Sequence, residues 1–321
     1  MNNEKYIVCV NGAGIGNRLR GLISAMRLSK ILNRKLLLFW KNSKHLGCDF
    51  NDLFENKFDE ITQEEFDRII NGDHNFKLYR DVLDEDYNNH KYLILDTWKW
   101  IFLPGEIEEG FNKTYASEKG NNIDFEFDRI PVKQRLDILT ELIELRINKD
   151  VLTLIKEFEK KYNLKEYTGM HIRRGDNKFT TDGREKISSD EKFEKIIKDN
   201  PNEKFFISTD SVEVAKRMKE KFGERIIYFP SEDKKRINKE SIQEALAAIV
   251  LLSKTKKLYG SFLSTFSEMV WWYSGCKIPV EIVGEEDVNK DFFPKTFLQK
   301  VIRKLKFYKV NLQRELAGVY K

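Results

Sequence analysis

The stretch that decides the fold is Tyr6-Ile7-Val8-Cys9-Val10, followed by Asn11-Gly12-Ala13-Gly14-Ile15-Gly16-Asn17-Arg18. Five aromatic, apolar or β-branched residues in a row suit a strand buried on both faces. The glycine-rich turn then opens a helix, because Leu19, Leu22, Ile23 and Met26 recur at i, i+3, i+4 and i+7. Strand, turn and helix in that order make the first half of a parallel β-α-β unit, which predicts an α/β architecture.

The same alternation continues outward. Residues 36–40 and 92–95 read as further strands, while residues 41–90 between them read as irregular, polar and aromatic-rich. A connection that long is more often a binding element than a spacer, so 41–90 is expected to be an acceptor-side insertion carrying Phe50, Phe54 and Tyr79. Residues 133–162 read as two helices around Asn148-Lys149-Asp150, with Asp150 as the cap of the second.

A second series follows. It has strands at 169–172, 205–208, 225–229, 257–259 and 279–283, and helices at 211–221, 240–253 and 265–273. With 321 residues, two domains are expected: residues 1–155, then 156–294, then a tail, 295–321.

Composition narrows the function. The chain has 57 Lys or Arg against 52 Asp or Glu, a net charge of +5. From Lys295 onward there are eight basic residues and one acidic one, Glu315, so the tail holds +7 and the first 294 residues carry −2. A slightly acidic body without basic residues interleaved among stacking aromatics argues against nucleic-acid binding. Three scattered cysteines (Cys9, Cys48, Cys276) exclude a disulfide framework and a cysteine zinc site, and four histidines disfavour an all-histidine metal cluster. Met1 to Lys5 lacks the apolar core of a leader and no run of 18 apolar residues occurs, so a cytoplasmic protein is expected. Asn112-Lys113-Thr114 then carries no glycosylation meaning.

Three stretches carry chemistry, each at the end of a strand. Asn11 to Arg18 can present backbone N–H groups and a helix dipole to a phosphate, or its glycines can simply satisfy a tight turn. It is neither the G-x-G-x-x-G fingerprint, since Asn17 stands where the last glycine would, nor a P-loop. His171-Ile172-Arg173-Arg174-Gly175-Asp176 lies where open α/β sheets bind ligands. Adjacent arginines suit a bidentate grip on a diphosphate, with one of them pairing a carboxylate such as Asp176; the plain alternative is a surface ion pair. Gly260-Ser261-Phe262-Leu263-Ser264-Thr265-Phe266-Ser267-Glu268 offers hydroxyls and amides to phosphate oxygens, or a capping box from Thr265 to Glu268.

Together with Phe206-Ile207-Ser208-Thr209-Asp210, these stretches resemble the GDP-fucose-dependent fucosyltransferase superfamily. That superfamily holds the α1,6-fucosyltransferases, the nodulation fucosyltransferases and the protein O-fucosyltransferases. The Gly-Asn-Arg turn is similar to its G-x-x-x-G-N element, and His171 to Arg174 is similar to its H-x-R-R motif. The resemblance spans most of the chain but is dense only in four short stretches. The α1,2-fucosyltransferases share an H-x-R-R-G-D motif, so the linkage is left open.

The resemblance implies an α/β, GT-B-like fold, with two Rossmann-like domains facing a central cleft. It also implies an inverting, metal-independent glycosyltransferase that moves fucose from GDP-fucose to a glycan acceptor, with no cofactor. In its terms Arg173 serves the β-phosphate, and Arg174 assists or orients the loop through Asp176. The donor side then comprises Gly14, Gly16, Asn17, Arg18, His171, Asp210, Ser264, Thr265 and Phe266. The acceptor base is sought among Asp176, Asp182 and Glu185. Asp84-Glu85-Asp86 is a D-x-D in an acidic stretch and is not assigned a metal.

Phe297, Val301, Leu305 and Tyr308 give the tail an apolar face opposite a cationic one. It fits either a peripheral helix at the inner membrane surface or a helix packed back on the N-terminal domain. Two alternatives to fucosyl transfer remain: another nucleotide sugar, or a silent sugar-nucleotide or glycan-binding protein.

Overall fold

A computed structural model of the chain describes residues 4–10, 13–42, 46–72, 75–78, 85–96, 100–101, 103, 132–174, 184–229 and 238–284. The N-terminal half contains β1 (Tyr6–Val10), α1 (Ile15–Ile31), β2 (Lys35–Phe39), β3 (Asp59–Glu60), α2 (Gln63–Asn71), β4 (Phe76–Leu78) and β5 (Tyr92–Asp96). Helices α3 (Val132–Glu144) and α4 (Lys149–Lys161) lead into the second half. There lie β6 (Tyr167–Ile172), α5 (Arg184–Ile187), α6 (Asp190–Asp199), β7 (Lys204–Thr209), α7 (Val212–Phe222), β8 (Ile226–Ile227), α8 (Lys239–Leu252), β9 (Leu258–Gly260), α9 (Thr265–Tyr273) and β10 (Val280–Ile282).

The strands form two five-stranded sheets, ordered β3-β2-β1-β5-β4 and β10-β9-β6-β7-β8. Their pairings are parallel: β1 lies beside β2 and β5, and β6 beside β7 and β9. The expected α/β class with two Rossmann-like sheets is the one found.

Alternation along the central strands sets the layers. In β7, Phe206 points to one side and packs in a core shared with α4 and α8, while Phe205 and Ile207 point to the other, against Phe193 and Met218 of α6 and α7. The larger core runs from Ile7 and Leu19 through Phe158 and Phe206 to Trp271 and Trp272, so it is continuous across both halves. Residue 155 falls inside α4, whose Phe158 packs its ring, tilted, against Phe206 and Phe229 of the second half.

Residues 41–90 depart from the expectation. They contain α2 and the edge strands β3 and β4, which complete the first sheet on either side. Helix α2 carries a full capping box between Thr62 and Glu65. Phe50 and Phe54 are core residues, 0% and 1% exposed, stacked on each other and not offered to a ligand; Tyr79 lies outside the described residues.

The cap of α4 is Asn148 rather than Asp150: its side chain accepts from Val151 N and donates to the carbonyls of Asn51 and Asp52. An N-cap needs its acceptor one residue before the helix begins, and Asp150 already lies in the first turn. No helix among the described residues is long and apolar enough to cross a membrane. The 295–321 tail and the 112–114 sequon lie outside the described residues.

Candidate active site

In an open parallel sheet, ligands bind beyond the carboxyl ends of the strands, where the order of connection reverses. In the second sheet that point is β6/β9, since the chain runs β6, β7, β8 to one side and returns to β9 on the other. Arg173 and Arg174 follow β6 directly, and Ser261 follows β9. The two strand ends are stitched there: Arg173 N donates to Ser261 Oγ at 2.9 Å, and Ser261 Oγ donates to His171 O at 2.9 Å.

Asp210, just beyond β7, closes the arginine loop from the other side. Its Oδ1 accepts from Arg174 N at 2.6 Å, and its Oδ2 lies 3.5 Å from Arg173 Nε. The two arginines differ. Arg173 keeps 26% side-chain exposure against 11% for Arg174.

Arg174 Nε donates to Asp190 Oδ1 at 2.7 Å, Nη2 to that same oxygen and to Ser188 O at 3.0 Å, and Nη1 to Arg173 O at 2.6 Å. Asp176, the carboxylate named for Arg174 above, lies outside the described residues; among those described, Arg174 meets Asp190, at the start of α6. Burial opposes ionisation of Asp190, but hydrogen bonds from Arg217 and Arg174 outweigh it and hold its pKa below the usual carboxylate value.

The first sheet brings its own strand end to this place through α1. A Cβ on Gly16 would sit 2.8 Å from the backbone carbonyl and from Oγ1 of Thr265, the first residue of α9. The N-termini of α1 and α9 therefore abut. Both begin without a side-chain cap, at Gly14 and Ser264, and α1 has no acidic residue in its first turn. Two positive helix ends meet in one spot.

Gly14 has φ −70°, an ordinary value, so the backbone-angle explanation does not hold for it. At Gly16 the requirement is close approach to Thr265. The capping box expected from Thr265 to Glu268 is absent too: Thr265 is already helical, and Glu268 is turned inward.

Glu268 forms an ion pair with Arg20 of α1, at 0% and 1% exposure. Its Oε1 also accepts from Trp100 Nε1 at 2.8 Å and Trp272 Nε1 at 3.3 Å. Burial pulls the Arg20 pKa down to about 9.

Sequence reasoning missed this interface. Arginines at 18, 20 and 27, set among the closely spaced apolar residues of α1, were its one signal, because buried charge is rare unless partnered. Arg18, assigned above to the donor side, is 1% exposed. It donates to the carbonyls of Ala13 and Lys41 at 2.8 and 2.6 Å and lies 4.7 Å over the Trp40 ring, so it ties the β1–α1 turn to the chain after β2.

His171 is buried as well, stacked on Phe266 with ring centroids 4.3 Å apart. Its Nδ1 lies 2.9 Å from Ser267 Oγ and 3.4 Å from Ser264 Oγ. Burial first, then the charges of Arg173 and Arg174, push its pKa well below 6.5, which keeps the ring neutral. The His171, Ser264, Thr265, Phe266 and Asp210 predicted from sequence thus come together around the arginine loop, and Gly16 brings the α1 N-terminus, where Gly14 and Asn17 also lie, against Thr265.

Asp176, Asp182 and the side chain of Glu185 lie outside what is described. Of the D-x-D, Asp84 does too, and Asp86 is engaged by Lys77 and lies 3.7 Å from His90.

No protein-family model matches the chain, and no curated protein matches it. Solved structures do. The chain is similar to NodZ α-1,6-fucosyltransferase, a Bradyrhizobium protein, in a crystal soaked with GDP-fucose. That match has 14% identity and a TM-score of 0.51, covering 84% of this chain and 92% of the other. It is also similar to an Arabidopsis thaliana FUT1 mutant in complex with GDP, with 18% identity and a TM-score of 0.52, covering 86% and 70%. The GT-B-like fold implied by the motifs is thus shared with fucosyltransferase structures.

Proposed function

We propose that the chain is a glycosyltransferase that moves fucose from GDP-fucose to a glycan acceptor, by an inverting displacement that uses no metal. The observation that carries this reading is Arg173, held at the β6/β9 switch point beside the meeting helix ends of α1 and α9. Structural neighbours with this fold were solved with GDP or GDP-fucose, which supports the choice of nucleotide.

Cleaving a sugar–phosphate bond leaves negative charge on the departing diphosphate. Fixed positive groups stabilise that charge best, because they need no reorganisation as the bond breaks. The guanidinium of Arg173 supplies a planar pair of donors to the β-phosphate. The first-turn amides of α1 and α9 add dipoles of the same sign from both halves. Asp210 and Ser261 restrain the loop that carries Arg173, while Ser264, Thr265 and Phe266 border the nucleotide. A base among Asp176, Asp182 and Glu185 takes the acceptor proton.

The test starts with thermal shift against GDP, UDP and ADP, where GDP is expected to stabilise selectively. GDP release from GDP-fucose is then measured over a panel of glycan acceptors, with and without EDTA. Equal response to all three nucleotides would overturn the choice of donor. Turnover abolished by EDTA would overturn the metal-free mechanism.

A further inference from the structure

Asp190 belongs to no motif quoted above, yet it organises the arginine loop. It opens α6, with Ser189 as the N-cap and one carboxylate oxygen for each of two arginines. Oδ1 takes Nε and Nη2 of Arg174, and Oδ2 takes Nη2 of Arg217. The remaining side-chain hydrogen bonds of Arg174 go to main-chain carbonyls, those of Ser188 and Arg173.

A guanidinium has five N–H donors, and the four bonds above occupy four of them. Arg174 is therefore a strut between α6 and the carbonyl of Arg173. The strut has a second anchor. Ser188, 1% exposed, donates through Oγ to Val283 O at 2.7 Å and accepts from Phe262 N at 2.8 Å, so the same segment also holds the chain after β9.

We propose that Asp190 is a positioning residue for the diphosphate site: through Arg174 it fixes the backbone of Arg173 and so aims the Arg173 guanidinium at the β-phosphate. The inference rests on the role given to Arg173 above. It differs from a simple helix-stabilising role, because an acidic residue in the first turn of α6 would support the helix without any link to Arg173. Arg217 provides the internal control. It shares Asp190, on the other carboxylate oxygen from Arg174, and its other partner among the described residues is Glu194.

The readout is the affinity gained between GMP and GDP, which isolates the β-phosphate. Calorimetric titration with the two nucleotides is expected to show tighter binding of GDP by the wild-type chain and loss of that gain in Arg173→Ala. In Asp190→Asn the gain should shrink about tenfold, the scale of a lost charged hydrogen bond, with GMP affinity unchanged. Asp190→Glu, which keeps the charge, should recover most of it. Arg217→Met should bind both nucleotides as wild type does.

An Asp190→Asn protein with the full GDP gain would overturn the inference while leaving the reading of Arg173 intact. So would equal loss of GMP and GDP binding, which marks a merely structural residue. Should Asp190→Asn fail to fold, Asp190→Glu decides by the same comparison against Arg217→Met. A wild-type chain with no GDP gain over GMP, or an Arg173→Ala protein that keeps it, would overturn the reading of Arg173, and this inference with it.

Discussion

Arg20 and Glu268, from helices that follow strands of different sheets, form an ion pair sealed from water at 1% and 0% exposure. Such a pair adds little over a well-packed apolar one, yet losing one member strands the other charge in the interior. Glu268→Gln is therefore expected to cost about 3–5 kcal/mol, read by denaturant unfolding. The double variant Arg20→Met with Glu268→Leu should recover most of that loss. A single variant within about 1 kcal/mol of wild type would contradict the burial of the pair.

Gly16 makes a second prediction at the same interface. Any side chain there meets the backbone of Thr265 at 2.8 Å, and main chain yields less than a flexible side chain does. Gly16→Ala should destabilise the fold by about 1–3 kcal/mol and weaken GDP binding, because it separates the α1 and α9 N-termini. Thermal melting with and without GDP measures both effects. Loss of stability with undiminished GDP binding would separate the helix contact from the site.

Arg173 should behave in the opposite way. It is partly exposed, and its ion pair with Asp210 is long at 3.5 Å, so Arg173→Ala should leave the thermal midpoint within a few degrees of wild type. GDP release from GDP-fucose should fall by about 10²–10³, the usual effect of removing one donor to developing charge. Steady-state kinetics with a working acceptor would show it.

His171 gives a pH signature. Its folded pKa is depressed, so at neutral pH the ring is uncharged in both states and contributes no slope. Below about 6.5 the unfolded chain takes up a proton that the folded chain refuses. Stability should then fall by about 1.4 kcal/mol per pH unit as pH drops toward the folded value. Unfolding curves of wild type and His171→Gln between pH 7 and 5 should diverge in slope. Parallel curves would mean that His171 is protonated in place.

What the sequence made legible was local. β1 and β7 announced themselves through apolar runs, and helix 265–273 matched residue for residue, because a buried parallel strand and a largely buried helix write their period into the chain. β3 is two exposed acidic residues, Asp59 and Glu60; it is a strand only because β2 offers an edge, and no propensity marks that.

The arginines of α1 were unreadable as core because charge reads as surface until its partner is known, and Glu268 is 248 positions away from Arg20 by their numbering. The partnership of Arg174 with Asp190 was hidden for the same reason. Asp176 was near in sequence, whereas Asp190 is brought near by α6. Phe193, Ile196 and Ile197 did carry the helical spacing of α6, and the reading of two strand–helix series left that signal out.

The larger core draws on Leu19 and Leu22 from one sheet's helix and on Trp271 and Trp272 from the other's. Neither half owns a finished interior. Recombination at the junction between the sheets would therefore not exchange independent modules: a transplanted half would bring an unmatched wall of apolar surface and a lone buried charge. The two halves are bound to diverge together, with the α1–α9 seam as the part of the chain least free to drift.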